Sequence, residues 1–196
     1  MIQEINNNYS NDSKISLLIR HGDRDNIPDG SFGNEVLLNE KGKLNSIKFG
    51  ESIAHLSVNK ILTSPIARCV QTAEHIAKGY GSKIEIIQTT ALGAPGLHIV
   101  DEDIAGKYFL EHGFIKILDN FIKGIPSPGL RNKIDYNKVM SDFINEQTDN
   151  KGLTIYVTHD SLIALYHYCY NKTIYTTNNW VQYLGGLIIN KNSNEE

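Results

Sequence analysis

The sequence predicts a three-layer α/β sandwich, in which helices cover both faces of a largely parallel central sheet. Short apolar runs, each long enough for one buried strand, alternate with longer segments whose apolar residues recur at helical spacing. Such alternation is typical of βαβ units, which build parallel sheets. With 196 residues, 40% of them hydrophobic, the chain suits one domain over 1–196 with its own core.

The predicted elements follow one another in a regular order. Strands are expected over 14–20, 60–63, 83–88, 153–158 and 186–190, where apolar runs are short. Helices are expected over 40–56, 65–78, 133–146 and 162–170; the first carries its apolar residues at Leu44, Ile47, Ile53 and Leu56. Residues 92–131, rich in Gly and Pro, are predicted to form a loop-rich excursion over the functional site that holds one or two helices, one of them near 106–123. The polar tail after Lys191 is expected to fray.

Composition narrows the class of protein. A net charge of −3 argues against nucleic-acid binding, which requires a basic surface. Residues 1–14 are polar and lack the apolar core of a signal peptide, and no stretch reaches the roughly 20 apolar residues of a membrane span. The two cysteines, Cys69 and Cys169, suit reduced thiols. We therefore expect a cytoplasmic protein that binds neither nucleic acid nor membrane.

Unusual residues follow three of the predicted strands. Strand 14–20 runs into Arg20-His21-Gly22-Asp23-Arg24, strand 60–63 into Ser64-Pro65-Ile66-Ala67-Arg68, and strand 153–158 into His159-Asp160-Ser161. Reactive groups in open α/β sheets gather beyond the carboxyl ends of the strands. Two histidines and three arginines are therefore expected to meet at one edge of the sheet.

The distribution of arginine supports a site for phosphate or carboxylate. Only four of the 19 basic residues are arginines, namely Arg20, Arg24, Arg68 and Arg131. Arginine is used where lysine cannot replace it, as in a bidentate grip on an anion. Ser64 as N-cap and Pro65 at the first helical position would place Arg68 about one turn into a helix, near a terminus that favours anions.

These motifs resemble the histidine phosphatase superfamily, which comprises phosphoglycerate mutase-like proteins and histidine acid phosphatases; the chain is similar to its small bacterial members. Arg20-His21-Gly22 is similar to the signature whose histidine becomes phosphorylated. Thr63-Ser64-Pro65 through Arg68, followed by Gln71-Thr72-Ala73, resembles the second arginine motif, and His159 the second histidine. Leu38-Asn39-Glu40-Lys41-Gly42 resembles the segment that opens the first helix in such proteins.

The resemblance implies a role for each residue of the constellation. His21 is the nucleophile, and Arg20, Arg68 and His159 surround the phosphoryl oxygens. Arg24 is a further phosphate contact, although it could instead pair with Asp23 or Asp25. Asp160 is the candidate general acid, with the alternative that it only caps a helix. The other acidic candidates lie in the excursion, at Asp101, Glu102 and Asp103. No metal and no cofactor are implied.

The resemblance leaves the activity open among three hypotheses. The favoured one is hydrolysis of phosphomonoesters, or of protein phosphohistidine, through a phosphohistidine on His21; the substrate would be a small phosphoester or a phosphorylated protein. The second is a phosphoglycerate mutase-like phosphotransferase, disfavoured because the excursion lacks the glutamate-glycine pattern typical of the mutases. The third is a non-catalytic module that binds phosphate or phosphoprotein, for which a nucleophile would be unnecessary.

Overall fold

One five-stranded sheet forms the centre of the molecule. A computed structural model of the chain describes residues 2–9, 13–148 and 150–191. The strands are β1 (Lys14–Arg20), β2 (Val58–Thr63), β3 (Glu85–Gln88), β4 (Gly152–Thr158) and β5 (Gly186–Lys191), in the order β3-β2-β4-β1-β5. The first four are parallel and β5 is antiparallel to β1. The predicted α/β sandwich with a largely parallel sheet is confirmed.

In the described parts of the chain, six α-helices cover the two faces of this sheet. They are α1 (Ile2–Asn8), α2 (Glu40–Ser52), α3 (Ala67–Tyr80), α4 (Glu102–Lys123), α5 (Lys133–Gln147) and α6 (Asp160–Asn171). Side chains that alternate along the strands pack against α1, α2 and α3 on one face and against α4, α5 and α6 on the other. On β1, for example, Leu17 contributes to the first core and Leu18 to the second. No described helix is long and apolar enough to cross a membrane.

Helix α1 was not predicted from the polar stretch at the N-terminus. Its Ile5 side chain is fully buried and joins the core formed with α2 and α3. The Tyr9 hydroxyl, just after the helix, accepts a hydrogen bond from the Ser57 backbone N–H at 2.9 Å. One buried isoleucine in a seven-residue helix is too weak a pattern to be recognised in sequence. The predicted fraying of the tail after Lys191 lies outside the described residues.

The segment 92–131 is more helical than predicted. Helix α4 spans Glu102–Lys123, so it begins four residues before the expected helix, where the Asp101 side chain accepts a hydrogen bond from the Ile104 N–H at 3.0 Å. Gly113, with φ 71° and ψ 160°, interrupts it and allows a change of direction. The helix expected near 106–123 is therefore present and one turn longer at its start, and residues 93–101 and 124–131 lie outside helices and strands.

The start of α3 also differs from the prediction. The helix begins at Ala67 with Ile66 at the N-cap position, rather than with Ser64 as N-cap and Pro65 as first residue. The Ser64 hydroxyl does accept a bond from the Ile66 N–H at 3.3 Å, but it also lies 3.0 Å from His159 Nε2. Arg68 is therefore the second residue of α3, closer to the end of the helix than expected.

Candidate active site

The three strand ends that carry the motifs are neighbours in the sheet. Strand β4 lies between β1 and β2, with Arg20 opposite Thr158 and Thr63 opposite Val157. The backbone N–H of His21 donates to the Thr158 carbonyl at 3.0 Å, so the β1 loop leaves the sheet beside the end of β4. This register brings the histidines and Arg68 together, as the sequence predicts.

His21 is held with one ring nitrogen as a donor and the other as an acceptor. Its side chain lies beyond β1 and the residue is only 2% exposed. Nδ1 lies 2.8 Å from the Gly22 carbonyl, which can only accept, so this nitrogen carries the proton. Nε2 accepts a hydrogen bond from Arg68 Nε at 3.1 Å. The lone pair of a neutral imidazole is thus directed at the guanidinium that would bind an anion.

The loop that carries His21 is fixed by close backbone packing. The Gly22 N–H donates to the Thr72 hydroxyl on α3 at 2.9 Å. A Cβ on Gly42, in the first turn of α2, would lie 2.1 Å from the Asp23 carbonyl oxygen, so a glycine is required there. The Asp23 carboxylate pairs with Lys41 Nζ at 2.7 Å. These contacts explain why a Gly-containing segment opens α2.

Arg68 joins three parts of the site through its guanidinium. In addition to the bond from Nε to His21, Nη1 donates to the Gly33 carbonyl, and Nη2 lies 3.4 Å from His159 Nδ1. The side chain is buried, with only 5% of the residue exposed. Its fork geometry therefore sets the separation between the two histidines, whose ring centroids are 5.6 Å apart.

His159 occupies the N-cap position of α6, at the end of β4. Nδ1 faces Arg68 Nη2, and Nε2 lies 3.0 Å from the Ser64 hydroxyl. A Cβ on Gly93 would lie 2.7 Å from the ring, so the chain passes against His159 without a side chain at that position. Since the guanidinium can only donate, Nδ1 is the acceptor and Nε2 carries the proton.

Both histidines are neutral at physiological pH. Burial is the main cause that lowers the pKa of His21 well below its usual value, and His159 lowers it further, whereas the Gly22 carbonyl opposes the shift. Burial also lowers the pKa of His159 to about 3, assisted by the Arg68 charge. A neutral imidazole is the form that can act as a nucleophile.

Arg20 and Asp160 form an ion pair at the edge of the site. Arg20 Nη2 lies 2.8 Å from Asp160 Oδ2, and Nη1 donates to the Val181 carbonyl at 2.6 Å. The Arg20 guanidinium also lies over the Tyr183 ring, 4.1 Å from its centroid. Asp160 Oδ2 accepts a further bond from Trp180 Nε1 at 2.9 Å. Asp160 is the first residue of α6, after His159 at the N-cap position, and its Oδ1 accepts a hydrogen bond from the Ser161 N–H at 2.9 Å, so its side chain contacts both the start of the helix and Arg20.

The remaining predicted residues differ in their relation to the site. Arg24 lines the same cavity as His21; its Nη1 donates to the Asp25 carbonyl at 2.7 Å, so it does not pair with the carboxylate of either neighbouring aspartate. Glu102 also lines the cavity, whereas Asp101 caps α4 and Asp103 is exposed. Arg20 is not among the lining residues.

A cavity of about 430 Å³ opens over His21, Arg68 and His159. Its walls come from the loop over residues 27–34, the segment 92–99, the inner side of α4 and the start of α6. Within the described part of the chain, no group of three or more His, Cys, Asp or Glu side chains lies close enough together to hold a metal ion. Both cysteines are free thiols.

Sequence comparison supports the resemblance drawn from the motifs. The model of the histidine phosphatase superfamily (branch 1) matches residues 16–93, a segment that contains the Arg20-His21-Gly22 and Arg68 motifs. His159 and Asp160 lie outside the matched segment. The resemblance to this superfamily is thus confirmed for the N-terminal part of the chain. No curated protein sequence matches the chain significantly.

Solved structures with the same fold extend the similarity to most of the chain. Phosphoglycerate mutase from Bacillus anthracis str. Sterne superimposes with a TM-score of 0.62 at 17% identity, covering 92% of this chain and 90% of that one. Mycobacterial glucosyl-3-phosphoglycerate phosphatase gives a TM-score of 0.55 at 16% identity, with 80% and 78% covered. Phosphoserine phosphatase from Entamoeba histolytica, in complex with 3-phosphoglyceric acid, gives 0.51 at 16% identity, with 79% and 78% covered. At these identities the likeness shows the fold.

Several residues of the site were not predicted. Thr72 belongs to the Gln71-Thr72-Ala73 motif, but nothing in the sequence indicated that its hydroxyl accepts a hydrogen bond from the Gly22 N–H. Gly93 and His98 lie in the segment that was expected to be irregular, and both are brought to the cavity by the short 3₁₀ helix over Thr90–Leu92 and the turn after it. In the sequence, the only indication that Gly93 and His98 belong to the site was their position between a predicted strand and a predicted helix.

Proposed function

We propose that the chain is a histidine phosphatase, which hydrolyses phosphomonoesters through a covalent phosphohistidine on His21 and needs no metal ion. The observation that carries the proposal is the orientation of His21, whose protonated Nδ1 is fixed by the Gly22 carbonyl while Nε2 keeps its lone pair beside Arg68 Nε. A histidine that only packed in a strand-end loop would not need this arrangement.

In the proposed reaction, the phosphoryl group of the substrate enters between His21, Arg68 and His159. Arg68 exchanges its bond to His21 for bonds to phosphoryl oxygens, which frees the Nε2 lone pair to attack phosphorus in line with the ester oxygen. The P–O ester bond breaks and its electron pair leaves with the alcohol oxygen, which takes a proton from a general acid. The guanidinium of Arg68 and the Nε2–H of His159 stabilise the transferring group.

Hydrolysis of the intermediate reverses these roles. A water oxygen attacks phosphorus, the N–P bond breaks and its electron pair returns to His21 Nε2. The conjugate base of the general acid takes the proton from the water, and inorganic phosphate leaves. Arg24, which lines the same cavity, has a buried Nε without a hydrogen-bond partner and is proposed to bind a phosphoryl oxygen. Arg20 is proposed to act through Asp160, which it contacts directly.

The general acid is proposed to be Asp160, with Glu102 as the alternative. Asp160 borders the cavity but its Oδ2 already accepts bonds from Arg20 and Trp180. Glu102 borders the cavity at the start of α4 and is exposed. A general acid matters for an alkyl leaving group and much less for p-nitrophenolate, which leaves without a proton. The responsible residue is therefore the one whose amide variant (Asp160→Asn or Glu102→Gln) loses activity on ethyl phosphate but keeps it on p-nitrophenyl phosphate.

The charges around the cavity disfavour the mutase hypothesis. The cavity is lined by two basic residues, Arg24 and Arg68, and by two acidic residues, Glu102 and Asp160. No lysine is among the described residues that line it. A bisphosphorylated primer would need further cations for its second phosphate. Hydrolysis of protein phosphohistidine stays within the proposal, because it uses the same attack on phosphorus.

The proposal is tested with p-nitrophenyl phosphate in the presence of a chelator. Wild-type protein should release nitrophenol, His21→Ala should not, and His55→Ala, which removes an exposed histidine outside the cavity, should match wild type. Alkaline quenching during turnover followed by mass spectrometry should find a phosphoryl group on the peptide that contains His21. Equal activity of His21→Ala and wild type would refute the proposal.

A further inference from the structure

Aromatic side chains line one side of the candidate cavity in a continuous row. The ring centroids of Phe32 and Phe109 are 5.7 Å apart, those of Phe109 and Phe114 are 6.0 Å apart, and those of Phe114 and Trp180 are 5.7 Å apart. All four residues line the cavity that contains His21. We call this row, Phe32, Phe109, Phe114 and Trp180, the aromatic wall.

Half of the aromatic wall has no role in the hydrophobic cores. Phe114 and Trp180 pack against the core beneath α4, α5 and α6, but Phe32 and Phe109 belong to neither core. Phe32 is 43% exposed. Apolar side chains that remain partly exposed around a concave site are typical of a surface that buries an apolar ligand group.

The wall begins beside the phosphoryl-binding groups. Trp180 Nε1 donates to Asp160 Oδ2, and Asp160 directly follows His159. An ester whose phosphoryl group contacts His21 and His159 would therefore extend its alcohol part along the wall. Further apolar residues line the cavity, among them Ile27, Ile99, Ile117 and Leu130.

The same surface offers little to a charged alcohol. The basic residues among those that line the cavity are Arg24 and Arg68, and the proposed reaction uses both of them for the phosphoryl group. Burial lowers the pKa of His98, a further lining residue, to about 4, so this histidine is uncharged at neutral pH. A carboxylate or a second phosphate on the alcohol would therefore lose its hydration without gaining a cation.

We infer that the substrates are phosphomonoesters of uncharged alcohols that carry an aromatic or bulky apolar group, which the aromatic wall binds. This inference rests on the proposed phosphatase function and specifies its substrate class. The wall contributes binding energy to the alcohol part only, so it raises kcat/KM for apolar esters and leaves the contacts of the phosphoryl group unchanged.

The test compares two esters of equal chemical reactivity. Ethyl phosphate and 2-phenylethyl phosphate both release a primary alcohol, so a difference in kcat/KM reports binding of the phenyl group. Burial of a phenyl group should favour 2-phenylethyl phosphate by about 10- to 100-fold in wild type. The carboxylate-bearing 3-phosphoglycerate should be a poorer substrate than ethyl phosphate. A wild-type preference near one, or a preference for 3-phosphoglycerate, would overturn the inference.

Variants of the wall locate the effect. Phe109→Ala and Phe32→Ala should each reduce the preference for 2-phenylethyl phosphate, measured as the ratio of its kcat/KM to that of ethyl phosphate, about fivefold or more. Leu110→Ala is the matched control, because Leu110 is the next residue on α4, is exposed and does not line the cavity. Phe32 is so exposed that its replacement should not impair folding. Leu110→Ala should keep the wild-type preference, and if Phe32→Ala and Phe109→Ala keep it too, the wall does not bind the alcohol group.

Binding of phosphonates separates this inference from the proposed function. Calorimetry should show tighter binding of 2-phenylethylphosphonate than of ethylphosphonate, a comparison that requires no turnover. Tighter binding of 2-phenylethylphosphonate with no hydrolysis of any monoester would support binding by the aromatic wall and refute the proposed phosphatase function. Hydrolysis of phosphomonoesters with equal binding of the two phosphonates would support the phosphatase function and refute binding by the aromatic wall.

Discussion

At the scale of single residues, the site depends on the ability of one side chain, that of Arg68, to contact three partners at the same time. The guanidinium of Arg68 contacts His21, the Gly33 carbonyl and His159 through three different nitrogens. A lysine has one nitrogen at the end of a flexible stem and cannot hold three partners in a plane. The preference for arginine at this strand end, visible in the sequence, thus has a specific physical basis.

Replacement of Arg68 by lysine should reduce kcat/KM on p-nitrophenyl phosphate by about 10²- to 10³-fold, because His21 and His159 lose their common partner and the phosphoryl group loses a forked donor. Arg131→Lys provides the same chemical change outside the site, since Arg131 Nε donates to the Leu97 carbonyl and the residue does not line the cavity. Comparable losses in both variants would show that the effect is not specific to the site.

The buried His98 should make stability depend on pH. Burial lowers its folded-state pKa to about 4, below the value of about 6.5 expected in the unfolded chain. The unfolded chain therefore binds more protons below about pH 6.5, and the free energy of unfolding falls as the pH drops toward 4. Between pH 6 and pH 5, the free energy of unfolding of His98→Gln should fall by about 1 kcal/mol less than that of wild type. Urea denaturation at the two pH values measures this difference.

Measurements above pH 7.5 provide the internal control for this prediction. There His98 is neutral in both the folded and the unfolded states, so the difference in stability between wild type and variant should not change with pH. A parallel fall of both proteins between pH 6 and pH 5 would mean that His98 is protonated as easily in the folded chain as in the unfolded one.

At the scale of elements, helix α2 and the loop after β1 are fitted to each other. Gly42 is in the first turn of α2 and lies against the backbone of Asp23, while Gly22 lies against Ser46 and the Gly42 carbonyl. The two glycine-containing motifs are distant in sequence but form one interface, which supports the loop of His21. Their packing accounts for the presence of both motifs in the same chain.

Gly42→Ala should destabilise the protein by about 1–3 kcal/mol and lower kcat, because the added Cβ would collide with the Asp23 carbonyl and displace the His21 loop. Gly106→Ala is the matched substitution in α4, where the nearest atom to a Cβ is Phe32 Cζ at 3.5 Å, an ordinary contact. That variant should gain about 0.5–1 kcal/mol from helix propensity. Thermal unfolding of the two variants would contradict this account if both shifts had the same sign.

At the scale of the whole molecule, the sheet separates two hydrophobic cores that differ in their relation to the cavity. The core under α4, α5 and α6 also supports the floor of the cavity through Leu92, Leu162 and Trp180. The core under α1, α2 and α3 includes Ile5 and Ile53, neither of which lines the cavity. Loss of packing in the core under α1, α2 and α3 should therefore change stability without changing the chemistry.

Ile5→Ala should lower the free energy of unfolding by about 2–4 kcal/mol, since Ile5 is fully buried although α1 is polar in sequence. Its kcat/KM at 25 °C should stay within about twofold of wild type. Ile134→Ala, at a site 78% exposed, should change stability by less than about 0.5 kcal/mol. A small effect of Ile5→Ala in chemical denaturation would mean that α1 contributes little to the core.

The sequence alone determined the sheet, most of the helices and the meeting of His21, Arg68 and His159, because apolar periodicity is local and the carboxyl ends of parallel strands share one edge of the sheet. Tertiary structure decided what depends on distant contacts. Helix α1 packs through the buried Ile5, and the Ser64 hydroxyl lies beside His159 while Ile66 takes the N-cap position of α3. Arg20, which does not line the cavity, pairs with Asp160, which does. The aromatic wall unites a loop, α4 and the segment before β5, whose proximity no local pattern encodes.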